Sequence, residues 1–358
     1  MDKNAIKLLK NFKRRFEPIL KNYFEEKIHQ TGKIDPTTQK AIRMIRDYTM
    51  AGGKRIRPAF LYYSYLATGG QDRAEILKIS IATELFQSFA LIHDDIMDKD
   101  VSRHGVDTIH EGYKKTANKN NLEKDKIHFG NSMAIVSGDM ANSMAHDVIF
   151  NTNFKDTVKL KCLNKVEKII FSTCSGQMLD IVMSDQDKTT EKQILKMHEG
   201  KTAIYTVEGP IHLGCILAEA EKSYLDLFSK FALPLGKAFQ IKDDILGIFG
   251  NEKETGKKVG SDIIEGKKTL LVLKALEKGN KKQKQIIKQC LNKKNISKKE
   301  LEEFRKVIRK TGSLAYSEKL ARSFAKKALT ALIKINFKNK EAKEFFTGIV
   351  NFIIDRKV

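Results

Sequence analysis

The chain has 358 residues, five prolines and no tryptophan, and its four cysteines (Cys162, Cys174, Cys215 and Cys290) form no CxxC pair. That usage argues against a disulfide framework or a zinc site and suits a reducing cytoplasm. A formal net charge of +22 permits anionic partners, but lysine is spread throughout and no zinc-finger, RNA-recognition or helix-turn-helix signature occurs, so no nucleic-acid partner is expected. No apolar run reaches about 18 residues, so no integral membrane association is expected, and Met1-Asp2-Lys3-Asn4 lacks a signal-peptide h-region. Long 3.6-period stretches without linker or composition break predict an all-α protein, a single domain over residues 1–358 of about a dozen helices.

Residues 3–30 form a basic amphipathic pattern with Ile6, Leu9, Phe12, Phe16 and Leu20 near one stripe. Packing against the core is favoured over lying on a membrane surface, and Pro18 should kink or split the helix. Asp35 and Pro36 are the expected cap and first position of the next helix. Gly52-Gly53-Lys54-Arg55-Ile56-Arg57-Pro58 follows, with Lys54 and Arg57 at the start of another helix. A flexible ammonium and a planar guanidinium there make a phosphate clamp, aided by the helix dipole.

The apolar run Ile81–Ile92 ends in Asp94-Asp95-Ile96-Met97-Asp98. Residues four apart share a helix face, so Asp94 and Asp98 point the same way. Unpaired carboxylates at the end of a buried helix repel one another, and divalent cations would relieve the cost; an all-oxygen donor set suits Mg²⁺. Gln87 is a lone amide two turns earlier, and Arg103 and His104 should lie in a loop beyond. Residues 113–128 are expected to be a surface loop or short insertion, with helices resuming at Met133. Asp180 is a carboxylate inside an apolar helix and should have a partner. Gly200-Lys201-Thr202-Ala203 should interrupt a helix and offer Lys201 to an anion.

A second acidic helix end, Gln240-Ile241-Lys242-Asp243-Asp244-Ile245-Leu246-Gly247, comes about 150 residues after the first. Two such ends suggest two walls of one site with metal ions between them and a phosphorylated substrate. Residues 255–269, with Lys257 and Lys267, read as a basic flap, and 270–354 as structural helices.

In order along the chain, Gly53-Lys54-Arg55-Ile56-Arg57-Pro58, Asp94–Asp98, Gly200-Lys201-Thr202, Gln240–Asp244 and Gly260-Ser261-Asp262 resemble the trans-isoprenyl diphosphate synthases from about residue 40 onward. The resemblance implies an all-α bundle around a deep apolar cavity, usually a homodimer. It implies a head-to-tail condensation of isopentenyl diphosphate with an allylic diphosphate. By the same carry-over Asp94, Asp98 and Asp243 would bind three Mg²⁺ ions. Arg103, Lys201, Thr202, Gln240, Lys257 and Lys267 would hold the allylic diphosphate. Lys54, Arg57, Gln87 and His104 would hold isopentenyl diphosphate, although His104 stands where the family usually has a second arginine. Asp95, Asp180 and Asp244 look like supporting acids. Phe89 lies roughly 7.5 Å below Asp94 along the helix at about 1.5 Å per residue. Members that stop at fifteen carbons often carry aromatics at both positions 89 and 90. Phe89 with the small Ala90 therefore resembles a geranylgeranyl synthase, with farnesyl or mixed products open because of Phe86. A terpene cyclase fits less well, since residues 243–251 lack its second metal motif, and a non-catalytic partner subunit would lack an acidic motif.

Overall fold

The computed structural model describes residues 3–119, 125–186, 188–250, 259–291, 293 and 295–354. The described residues are helical except for connections and one short hairpin. Helix α1 (Lys3–Gly32) buries Leu9, Phe12, Phe16, Leu20, Phe24 and Ile28. Pro18 does not split it: the buried stripe runs on either side of the proline, and packing outweighs one lost backbone bond. Helix α2 (Pro36–Met50) starts as expected, with Asp35 accepting from the Thr38 N–H. Helix α3 (Ile56–Ala67) is buried along nearly its whole length.

The acidic run lies on α5 (Ile81–Asp98), which follows the short α4 (Arg73–Ile79) after Ser80. Taken together, Arg73–Asp98 is long and apolar enough to cross a membrane, contrary to the sequence expectation, but 67% of its apolar window is buried inside the protein, as in a core helix. Beyond α5, Arg103 lies not in a loop but in a two-residue strand, β1 (Ser102–Arg103), paired antiparallel with β2 (Val106–Asp107). His104 and Gly105 between them have φ of +51° and +82°, the pattern of a tight hairpin turn.

Residues 113–119 are not loop either: α6 spans Ile109–Lys119 and α7 starts at Lys126, running to Phe150. Tyr113 and Ala117 are buried, so a Lys/Asn-rich exterior masks an amphipathic helix. Helix α8 (Asp156–Asp185) leads to α9 (Glu191–His198), a π-helix (Glu199–Glu208) and α10 (Gly209–Leu217). Helix α11 (Lys222–Phe249) carries the second acidic run, followed by α12 (Ser261–Ile264). Helices α13 (Leu270–Lys278), α14 (Lys281–Cys290), α15 (Lys298–Lys310), α16 (Ser313–Leu332) and α17 (Lys340–Ile354) complete the order.

Two hydrophobic clusters hold these helices. The larger joins α1–α8 to the first part of α11 and to α17. Its centre is aromatic: the rings of Tyr63 and Phe345 stack at 4.1 Å, and Phe60 and Phe346 at 6.0 Å. Each buried ring contributes about 1.5–3 kcal/mol. The smaller cluster packs the far end of α11 on α13–α16, so the last third of the chain is the scaffold for the second acidic run.

Candidate active site

The two acidic runs face a common cavity of about 580 Å³. Asp94 and Lys201 line it, and so do Gln240, Asp243 and Asp244. Lys54, Arg57, Gln87 and His104 line it as well, together with Arg103, Thr202 and Lys267. Phe86, Phe89 and Ala90 make an apolar wall on α5. Residues assigned from widely separated motifs thus converge on one space, except that Asp98 does not line it and stands behind Lys267, 2.9 Å from its Nζ. Lys257 lies outside the described residues.

Each acidic run divides its work between neighbours. Asp95 is fully buried and is held by the Tyr48 hydroxyl, which donates at 2.5 Å, and by Arg103, whose Nε donates at 2.9 Å. Asp94 and Asp98 lie on the adjacent face, each partly accessible. In the second run Asp243 is exposed and Asp244 is buried. Asp244 Oδ1 accepts from Gln240 Nε2 at 2.8 Å, and Gln240 Oε1 accepts from Thr202 Oγ1 at 2.5 Å.

Lysines reach across to these acids. Lys201 Nζ is 2.7 Å from Asp180 and 3.3 Å from Asp94, which supplies the partner expected for Asp180. Lys267 Nζ is 2.9 Å from Asp98 and 2.5 Å from Glu265. Burial opposes both ammonium charges, but the surrounding carboxylates outweigh it and hold the lysines above the ordinary lysine range. Burial likewise opposes the Arg103 charge, and Tyr48 and Asp95 more than compensate. These cations test whether the acids suit a metal. The ammonium groups occupy the positions of counter-ions between oxygens that are all carboxylate, a donor set that fits Mg²⁺. Carboxylate oxygens of Asp98, Asp100 and Glu265 also lie within 4.8 Å of one another.

Lys201 does not sit at a helix break. It belongs to the π-helix, which is continuous with the flanking helices. Two glycines admit that segment: a Cβ on Gly176 of α8 would stand 2.2 Å from the Lys201 nitrogen, and one on Gly236 of α11 2.4 Å from the Ala203 Cα. Among basic residues, Arg57 donates to Thr206 Oγ1 at 2.8 Å and lies over the Tyr205 ring at 4.4 Å. Arg55, between the two clamp residues, instead turns inward to pair with Glu84, at a φ of +53°. His104 packs against Gly52, where a Cβ would meet its ring at 2.8 Å. Partial burial, then Arg103 and Arg55, hold its imidazole below the usual histidine range.

Residues 39–308 match the sequence profile of the Polyprenyl synthetase family. The chain belongs to that family. Geranylgeranyl diphosphate synthase of Saccharolobus solfataricus is 34% identical over 309 residues, covering 86% of this chain and 87% of that protein. The one from Sulfolobus acidocaldarius is 32% identical over 344 residues, 94% of this chain and 98% of that protein. The crystal structure of geranylgeranyl pyrophosphate synthase from Corynebacterium glutamicum, complexed with isoprenyl diphosphate and magnesium, superposes with a TM-score of 0.92 at 27% identity, covering 98% of this chain and 99% of that one. The family, the all-α isoprenoid synthase fold and the trans-prenyltransferase class implied by the motifs are borne out.

Within this family site the motifs missed Tyr48 and Tyr205. Tyr48 secures Asp95 from 47 residues away, and no local pattern marks it. Tyr205 lines the cavity with its hydroxyl buried, and burial pushes its pKa up to about 12. Its place four residues after Lys201 was the available signal, hidden by the expectation of a helix break.

Proposed function

We propose that this polyprenyl synthetase condenses isopentenyl diphosphate head-to-tail with an allylic diphosphate, and that its main product is geranylgeranyl diphosphate. The observation that carries the reading is a cavity lined by acids from both acidic runs, by cations and by an apolar wall on α5. Its volume of about 580 Å³ lies in the range of small-molecule sites.

Asp94, Asp98 and Asp243 would hold Mg²⁺, three ions per site, which would neutralise diphosphate oxygens as the leaving group gains charge. Lys201, Lys267, Arg103 and Gln240, with Thr202 and Lys257, hold the allylic diphosphate, and the cations stabilise it as the carbon–oxygen bond breaks. Lys54, Arg57, Gln87 and His104 hold isopentenyl diphosphate with its double bond toward the resulting allylic cation. The double bond attacks, a carbon–carbon bond forms, and the departing diphosphate takes the proton lost from the adjacent carbon. The apolar wall formed by Phe86, Phe89 and Leu213 excludes water that would quench the cation. Phe89 ends the space for the growing chain, and Ala90 leaves room beside it for twenty carbons.

The whole chain acts as one domain, as a cytoplasmic homodimer. Support for the dimer comes from an apolar face left open on α7 and α8: Ile135, Val136, Phe171 and Val182 are all exposed. The deciding experiment incubates the purified protein with Mg²⁺, labelled isopentenyl diphosphate and each of the three short allylic starters, then identifies the extracted products. A twenty-carbon diphosphate is expected. Hydrocarbon from a single substrate, or no condensation without a second polypeptide, would overturn the reading.

A further inference from the structure

His198 is the last residue of α9 and is only 1% exposed. Its Nε2 stands 3.3 Å from Asp244 Oδ2, yet among the described residues neither atom has a well-aligned hydrogen bond, and Nδ1 has none. Helix α9 packs on α8, the π-helix and α11 amid apolar residues that include Met183, Ile194, Met197 and Ile245. A polar ring in that setting needs an explanation.

The first acidic run supplies a comparison. There the buried second aspartate, Asp95, is fixed by donors on both oxygens, Tyr48 to Oδ2 and Arg103 to Oδ1. In the second run Gln240 serves one oxygen of Asp244, and His198 stands at the other. The consequence reaches the cavity through Gln240. Its amide can present either end to a neighbour by a half-turn about its last torsion. An ionised Asp244 accepts only, so Nε2 must face it and Oε1 must face the Thr202 hydroxyl. The second Nε2 hydrogen is then left for an oxygen in the cavity that Gln240 lines. If Asp244 swings away, the amide is free to turn its oxygen toward an anion, which repels it.

We infer that His198 is a positioning residue of the diphosphate site: its imidazole N–H anchors Asp244 and thereby fixes the polarity of the Gln240 amide and the Thr202 hydroxyl. The inference rests on the prenyltransferase reading of the site.

The test uses the full chain and two substitutions, His198→Leu, which removes the N–H at similar volume, and His198→Gln, whose amide nitrogen takes the place of Nε2 and keeps a donor. Calorimetry measures the affinity for inorganic pyrophosphate with Mg²⁺, and steady-state assays measure kcat and both KM values. For the leucine variant, pyrophosphate Kd and allylic KM should rise about fivefold, with the isopentenyl KM unchanged and kcat within about threefold, and His198→Gln should recover most of the loss. In a Gln240→Leu background the leucine change should add less than about twofold, because both act through one hydrogen-bonded chain. Unchanged pyrophosphate affinity in a folded His198→Leu protein, equal losses in the two variants, or full additivity with Gln240→Leu would overturn the inference. Should His198→Leu not fold, Asp244→Asn decides: it removes the polarity lock, and undiminished pyrophosphate binding overturns the inference. Wild-type turnover in the same assays tests the prenyltransferase reading separately, since an inactive wild type sinks that reading and an active one with unaffected variants sinks only this one.

Discussion

At the residue scale, neighbouring aspartates have opposite duties. Asp94 faces the cavity while Asp95 is sealed behind it by Tyr48 and Arg103. Asp94→Ala should therefore leave the fold intact and lower kcat by at least about 100-fold, about 2.7 kcal/mol of barrier. Steady-state kinetics with circular dichroism would check both halves, and near-normal turnover would count against Asp94 as a metal ligand. His104 carries a pH signature. Partial burial and the Arg103 and Arg55 charges depress its pKa, so it is neutral at pH 7 and gains charge only on acidification. The folded value lies below the unfolded one, so its contribution to stability is full above about pH 6.5 and is lost as pH falls through the folded value. For binding, His104→Arg supplies a permanent fork-shaped cation. The KM for isopentenyl diphosphate at pH 7.5 should drop by roughly fivefold, about 1 kcal/mol. A KM profile over pH for both proteins would reveal it, and no difference at pH 7.5 would remove His104 from that subsite.

At the element scale, the π-helix and α5 do most to shape the site. The π-helix brings Lys201 to Asp94 and Asp180 only because Gly176 and Gly236 let it approach α8 and α11. Gly236→Ala should force it outward, at a cost of about 1–3 kcal/mol in stability, and should reduce activity by displacing Lys201. Thermal unfolding beside turnover would measure this; a fully active, equally stable variant would show that the close approach is dispensable. Helix α5 lines the cavity with Phe89 and Ala90, the proposed stop for the growing chain. Phe89→Ser should lengthen the product and Ala90→Phe shorten it, read by chromatography of the dephosphorylated prenols. Unchanged product from both variants would refute the proposed stop.

At the scale of the whole molecule, the exposed apolar stripe on α7 and α8 needs cover. Phe171 and Val182 recur at helical spacing on α8 and are both exposed. Phe171 does not line the cavity, so it separates assembly from chemistry. Phe171→Asp should convert the expected dimer into monomer in sedimentation equilibrium. A dimer of unchanged affinity would place the interface elsewhere. The arrangement also explains why the apolar stretch Arg73–Asp98 is compatible with a core: its window is mostly covered by other helices.

The chain by itself determined what depends on near neighbours. The four-residue spacing of Asp94 and Asp98, the Asp35 cap and the α1 stripe follow from helical periodicity, a property of contiguous residues. The five spaced motifs fixed the family and the residues to watch. Tertiary packing decided the remainder. Lys267 meets Asp98 across 169 residues of sequence, and Arg57 meets Thr206 across 149. Local patterning also misread residues 113–119 and the π-helix, because burial of Tyr113 and the close approach at Gly176 and Gly236 come from distant helices. Periodicity reports which face of a helix is apolar, whereas only the packed fold sets what stands opposite that face and how near it comes.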